Sequence, residues 1–264
     1  MGTSEFVDLI KPLGERLSLY DRTAIPTSQP KNDAADPAKG VPQGFIDAMQ
    51  VREEVYVREQ NIPLENEVDE DDARSFHWVV YASIPTKATT NGERRTSNST
   101  KIPIGTIRLV PPPHHPHSVS AAETNGNGNG NGNGNGHYEP EEAYIKLGRL
   151  AVIKEFRKAG ISKLLIETAL AFAREHPYEV GPQMDLSEAL HKGVAMNFKG
   201  LVLVHSQIGV QKVWKRYGFE VDEKMGTWDE EGIEHVAMWK RVDVSSGRRN
   251  SKLWTQGHSA VKPV

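Results

Sequence analysis

A short apolar run, Tyr144 to Val152, leads through a turn carrying Arg157, Lys158 and Gly160 into a helical pattern that continues to about Glu175. No other stretch constrains the fold as much. Ile161, Leu164, Leu165, Thr168, Ala169 and Phe172 recur at helical spacing and mark one apolar side. The start of a helix leaves N–H groups without partners and carries partial positive charge. With two cations beside it, and glycine where a side chain would block the approach, such a start suits a pyrophosphate. The spacing is neither G-x-G-x-x-G nor G-x-x-x-x-G-K-[ST], so the dinucleotide and P-loop readings fail on the residues present.

Around this unit the chain alternates strand and helix patterns. Phe45 to Glu59 reads as a helix, Phe76 to Ser83 and Ile104 to Val110 as strands, with Pro85–Lys101 as an elongated hairpin loop. Leu201 to His205 reads as a short buried strand and Gly209 to Tyr217 as a second helix. Phe219–Trp228 and Ile233–Arg241 read as a closing hairpin around Asp229-Glu230-Glu231-Gly232. The order predicts a mixed α/β fold with one central sheet and one domain over residues 43–241. A strand region with a flexible segment precedes it (1–42), and a tail follows (242–264).

Thr23–Pro42, residues 85–101 and residues 111–137 are predicted to be disordered. The last contains a Pro/His tract and six Asn-Gly repeats, and such stretches bury too little apolar surface to offset their ordering entropy. His114, His115 and His117 read as part of a solvated linker rather than a metal site, because no further ligands accompany them.

The 264 residues suffice for a sizeable core. With 37% hydrophobic and 25% charged residues and negative mean hydropathy, the chain reads as soluble. A net charge of −3 without a basic stretch disfavours a nucleic-acid partner. The absence of cysteine removes disulfides, Cys-based zinc sites and a thiol nucleophile. No run approaches the roughly 18 apolar residues of a membrane span, and no apolar h-region opens the chain. The default compartment is the cytoplasm, or the nucleus.

Arg157-Lys158-Ala159-Gly160-Ile161-Ser162 matches R-x-x-G-x-[small], which resembles the acetyl-CoA signature of the GNAT N-acetyltransferase superfamily, [QR]-x-x-G-x-[GA]; Ser162 departs at the last position. Leu150-Ala151-Val152 is similar to the family's L-x-V strand, whose splayed backbone pairs with the pantetheine arm. Further along, Leu201–His205, Val210–Tyr217 and Gly218-Phe219 follow the family order of strand, helix and G-F pair. Val51 to Gln60 looks like the V-R-x-x-V-[FY]-V-x-E-Q helix of the ElaA-like subgroup. The acidic loop Glu65–Asp72 and Glu231–Met238 are similar to that subgroup too.

The resemblance implies a GNAT fold, a central, mostly antiparallel sheet flanked by helices. It also implies acetyl-CoA as cosubstrate, CoA as product, and direct attack of an amine on the thioester through a tetrahedral intermediate. Leu150, Ala151, Val152, Arg157, Lys158, Ala159, Gly160, Ile161, Ser162, Gln207 and Trp214 are the implied cofactor-binding positions. Backbone N–H groups near Leu150 and Val152 are the expected oxyanion donors. The family's acid tyrosine, four residues before the glycine of the G-F pair, is here Trp214. An indole is no useful acid; either the thiolate leaves unaided or Tyr217 substitutes.

His205, which closes its strand beside the cofactor, and Glu67 are the candidate bases. Glu67 lies in a loop where six of eight residues are acidic, a run that reads as a solvated face or a lure for a cationic amine. The expected acceptor is a small-molecule primary amine, with Glu179–Lys199 as a candidate cover for its site. A catalytically weak CoA-binding regulator and a protein lysine or N-terminal acetyltransferase remain alternatives. The oligomeric state is open, a homodimer among the options.

Overall fold

The run from Phe76 to Tyr81 is rich in β-branched and aromatic side chains, which fit a pleated surface better than a helix. The computed structural model describes residues 6–29, 40–85, 99–114, 142–182, 185–193 and 196–244. In it this run opens β2 (Phe76–Pro85), one of eight strands among the described residues, all in one sheet. β1 (Val7–Ile10) flanks β2 on one side. On the other follow β3 (Ser99–Val110), β4 (Ile145–Val152), β5 (Leu201–Gln207) and β8 (Ile233–Arg241). The short β6 (Glu220–Val221) and β7 (Thr227–Glu230) both pair with β8. Every pairing is antiparallel except that of β4 with β5. This is the mixed α/β architecture that the resemblance implies.

Side chains alternate across a strand, so each face of the sheet needs its own cover. α1 (Gln43–Arg52), continued by a π-helical stretch over Glu53–Glu59, brings Phe45, Ile46 and Met49 onto Val79 and Tyr81. α2 (Ile161–Glu175) brings Leu165, Ile166 and Ala169 onto Trp78, Ile107, Leu147 and Val204 on the opposite face. Full burial of Leu165 or Ile166 contributes about 1.5–3 kcal/mol each. α3 (Leu186–Lys192) and α4 (Gln211–Lys215) are short, and α4 adds the buried Trp214 to the α2-side core.

The predicted flexible segment begins later than expected. Thr23 to Gln29 includes the turn Pro26–Ser28, and the buried Gln29 donates from Nε2 to the carbonyls of Asp21 (2.6 Å) and Ala24 (3.1 Å). Val41 is fully buried. His115, His117, the Asn-Gly repeats and most of the tail lie outside the described residues. His114 is described: its Nε2 lies 2.8 Å from the Tyr144 carbonyl and its ring stacks on Tyr144 at 4.5 Å. Among the described residues no group of three or more His, Asp or Glu could hold a metal, and no helix is long and apolar enough to cross a membrane.

His77 on β2 is fully buried, edge-on to Phe45 at 5.2 Å, with Nε2 3.8 Å from Asp72 Oδ1. Burial pushes its ring down to about 3 despite that carboxylate. In the unfolded chain the ring takes a proton near pH 6.5, so between about pH 6.5 and 3 the unfolded state binds more protons. Stability is therefore full above about pH 6.5 and should fall as pH drops, by up to ~1.4 kcal/mol per unit for this group. Asp72 extends the loss: burial raises its carboxyl, but Arg52 and Arg108 outweigh this and hold it well below the usual carboxylate range. Urea denaturation between pH 7 and 4 checks this, and a flat profile would contradict it.

Candidate active site

β4 and β5 pair only where Ile145, Lys146 and Leu147 meet Val202, Leu203 and Val204; beyond Leu147 they part. The cause lies on the other edge of β4. Thr106 pairs with Ala151 but Arg108 with Gly148, so Arg149 and Leu150 together oppose Ile107. This β-bulge bends β4 away from β5, and it holds Arg149 at φ +49°, a left-handed conformation that costs a non-glycine residue. Ile153 donates its N–H to Ile104 on the β3 side (2.9 Å). By alternation the N–H groups of Leu150 and Val152 point into the opening between β4 and β5.

A cavity of about 880 Å³ occupies that opening, walled by β4, the end of β5, α4, the start of α2, the π-helical stretch and His235 of β8. At one end stands α2. Its first intrahelical bond runs from Leu164 N–H to Gly160 O (3.0 Å), so the N–H groups of Ile161, Ser162 and Lys163 have no acceptor within the helix. No side chain caps them. Gly160 adopts φ +83°, and a Cβ placed there would meet no atom within 4 Å, so a ligand can lie against the backbone.

Leu150, Ala151, Val152, Arg157, Lys158, Gly160, Ile161, Ser162, Gln207 and Trp214 all line this cavity. Ala159 does not: it is exposed on the turn, outside the cavity wall. Arg157 lines the cavity without being free for phosphate. Its Nη atoms donate to both Glu59 oxygens (2.6 and 2.5 Å) and its Nε to Val152 O (3.0 Å), fastening the turn to the π-helical stretch. Gln207 Nε2 donates to Gln60 Oε1 (3.0 Å), a second tie to that stretch. Trp214 is 3% exposed and packs edge-on to Phe219 at 5.2 Å. Tyr217 is half-buried on the wall, and burial, with Glu167, pushes its phenol up.

The acidic loop is not the solvated face expected. Arg52 is fully buried and bonds Glu67 Oε1 through Nε (2.5 Å), Asp72 Oδ1 through Nη1 (2.7 Å) and the Glu67 carbonyl through Nη2. Arg108 holds Asp69 with two bonds (2.6 and 2.8 Å) and Asp72 with one (2.9 Å); Arg149 reaches Asp69 at 3.1 Å and Glu67 at 3.6 Å. Three guanidiniums balance three carboxylates, which leaves little field to draw in a cationic amine. Glu67 borders the cavity, 2% exposed and bound into this network. Of Glu179–Lys199, no described residue lines the cavity; Val180 and Phe198 pack in the core instead.

His205 also borders the cavity, its ring edge-on to Trp228 at 5.0 Å and its Nε2 sealed from solvent. Sequence reasoning missed His235. Its Nδ1 lies 2.8 Å from Ile233 O, and a carbonyl only accepts, so Nδ1 carries the proton. In the neutral ring the lone pair is then on Nε2, and that ring borders the cavity and stacks on Trp228. The available signal was strand alternation in the closing hairpin, which puts His235 on the same face as Trp228 and Gln207.

A mostly antiparallel sheet whose single parallel pair splays beside a glycine-started helix is a GNAT-type arrangement. No family model matches the chain. The curated protein described as uncharacterized N-acetyltransferase YjcF of Bacillus subtilis is 26% identical over 194 residues, covering 74% of this chain and 90% of its own length. That likeness supports the GNAT superfamily. An acyl-CoA N-acyltransferase of Pseudomonas aeruginosa aligns at 19% identity and TM-score 0.43, over 74% of this chain and 89% of its own. Escherichia coli ElaA aligns at 15% identity and TM-score 0.44, over 75% and 90%.

Proposed function

We propose that this chain is an N-acetyltransferase that binds acetyl-CoA along the free edge of β4 and transfers its acetyl group to the primary amine of a small molecule. The observation that carries the reading is the continuity of one cleft. The inward N–H groups of Leu150 and Val152 lead directly to the uncapped start of α2. The residues present fit the cosubstrate: an extended arm finds strand N–H groups, and a pyrophosphate finds helix N–H groups beside open Gly160.

Acetyl-CoA supplies a thioester, at whose carbonyl carbon the carbon–nitrogen bond forms while the carbon–sulfur bond breaks and its electron pair leaves on sulfur. The N–H groups of Leu150 and Val152 stabilise charge on the carbonyl oxygen. His235 Nε2 takes the proton that the ammonium must lose before attack, its other nitrogen held by Ile233 O, and the second proton, which the nitrogen loses as the amide forms, passes to solvent. With Trp214 in the core, no hydroxyl stands at that point of α4. A thiolate, whose ordinary pKa is about 8.5, leaves without an acid. The same Trp214 favours a second reading, a CoA-binding regulator that turns over poorly.

Acetyl-CoA should raise the melting temperature, and an amine panel should release free thiol; no thermal shift with acetyl-CoA would sink both readings. Tight binding without release from any amine would favour the second. A variant separates fold from ligand. Ser162→Asp puts a carboxylate in the first turn of α2, where the dipole gains about 0.3–1 kcal/mol. The same charge about 5 Å from a pyrophosphate should weaken acetyl-CoA about tenfold. Stability and affinity should thus move in opposite directions, read by melting and by calorimetry.

A further inference from the structure

We propose that the acceptor amine also carries a carboxylate, which Lys146 binds. This rests on the acetyl-transfer reading and narrows its substrate. Lys146 lies on β4 opposite Leu203, on the sheet face that also carries His205 and, through β5 and β8, His235. Strand rise and spacing put His205 roughly 8 Å from Lys146, the scale of one amino acid. Gly148 follows on the same face, and a Cβ there would meet nothing within 4 Å, so the floor beside Lys146 is open.

The charges on this wall single out Lys146. Arg108 is held by Asp69 and Asp72, and Arg149 by Asp69 and Glu67. Lys146 borders the same cavity, half-buried, and no described residue gives its ammonium a hydrogen bond or an ion pair. Asp71 faces it but is bound by Arg74 (2.6 Å); Glu230 faces it from exposed β7, and Arg74, Arg108 and His114 add no negative charge. Burial lowers its ammonium, opposed by Asp71. A half-buried cation without a counter-ion is costly, and a ligand carboxylate meets that need. A simple cationic amine would add like charge beside it.

The test compares glycine, β-alanine, 4-aminobutyrate and 6-aminohexanoate with their primary amides in the thiol-release assay. At least one acid should show a KM about tenfold or more below that of its amide, as expected for a hydrogen-bonded charge. Lys146→Met should erase that preference, and Lys146→Arg should restore most of it. Equal KM values for every acid and amide, with robust turnover of neutral amines, would overturn this inference and leave acetyl transfer standing. Calorimetry of the same acids with CoA present, on wild type and Lys146→Met, gives the answer if no acetyl group moves. Binding lost in the variant supports the anchor, and no binding, or equal binding, refutes it. Absence of a thermal shift with acetyl-CoA identifies failure of the broader reading.

Discussion

Arg52→Met should lower the unfolding free energy by about 3–5 kcal/mol, the range for removing one partner of a buried ion pair. The side chain is fully buried, and its donors meet both the Glu67 and Asp72 carboxylates and the Glu67 carbonyl. Methionine fills similar volume, so the loss comes from carboxylates left facing each other in a site sealed from water. The melting temperature should fall by about 6–20 °C at this chain length. Arg58→Met on the adjoining turn is the control: Arg58 is 61% exposed and pairs with Glu54, so its loss should cost about 0.5 kcal/mol or less. Urea denaturation of both variants at unchanged slope reads the difference directly. If Arg52→Met costs no more than Arg58→Met, the network contributes nothing to stability.

That network shows where sequence reasoning stops. The strands around Phe76 and Leu201 and the helix from Ile161 were legible because each writes its period locally, and packing confirmed the period. The start of α2 was legible because a helix terminus acts through its own backbone, whatever surrounds it. Glu65–Asp72 was not. Whether an acidic run is solvated depends on cations that the fold delivers from elsewhere, and Arg52, Arg108 and Arg149 come from three different elements. The bulge at Arg149 is a relation between β3 and β4, so no residue of β4 announces it. The Arg157 motif held its place at the cavity, yet Glu59, far off in sequence, took up its charge.

His235→Gln should lower kcat about a hundredfold to ten-thousandfold, the usual contribution of a positioned general base. Glutamine keeps much of the shape and can still donate to Ile233 O, but it has no basic nitrogen to accept the ammonium proton. Acetyl-CoA binding should be nearly untouched, because the strand and helix N–H groups that hold it lie on β4 and α2. His205→Gln should cost less, since its Nε2 is sealed from solvent and its ring stands edge-on to Trp228. Reversal of that order would move the base to β5. Glu67 is distinguished by its readout: bound to Arg52, it should register as lost stability when replaced, because its first task is to neutralise a buried guanidinium. A Glu67→Gln variant that melts normally but has lost its turnover would make Glu67, rather than His235, the proton acceptor.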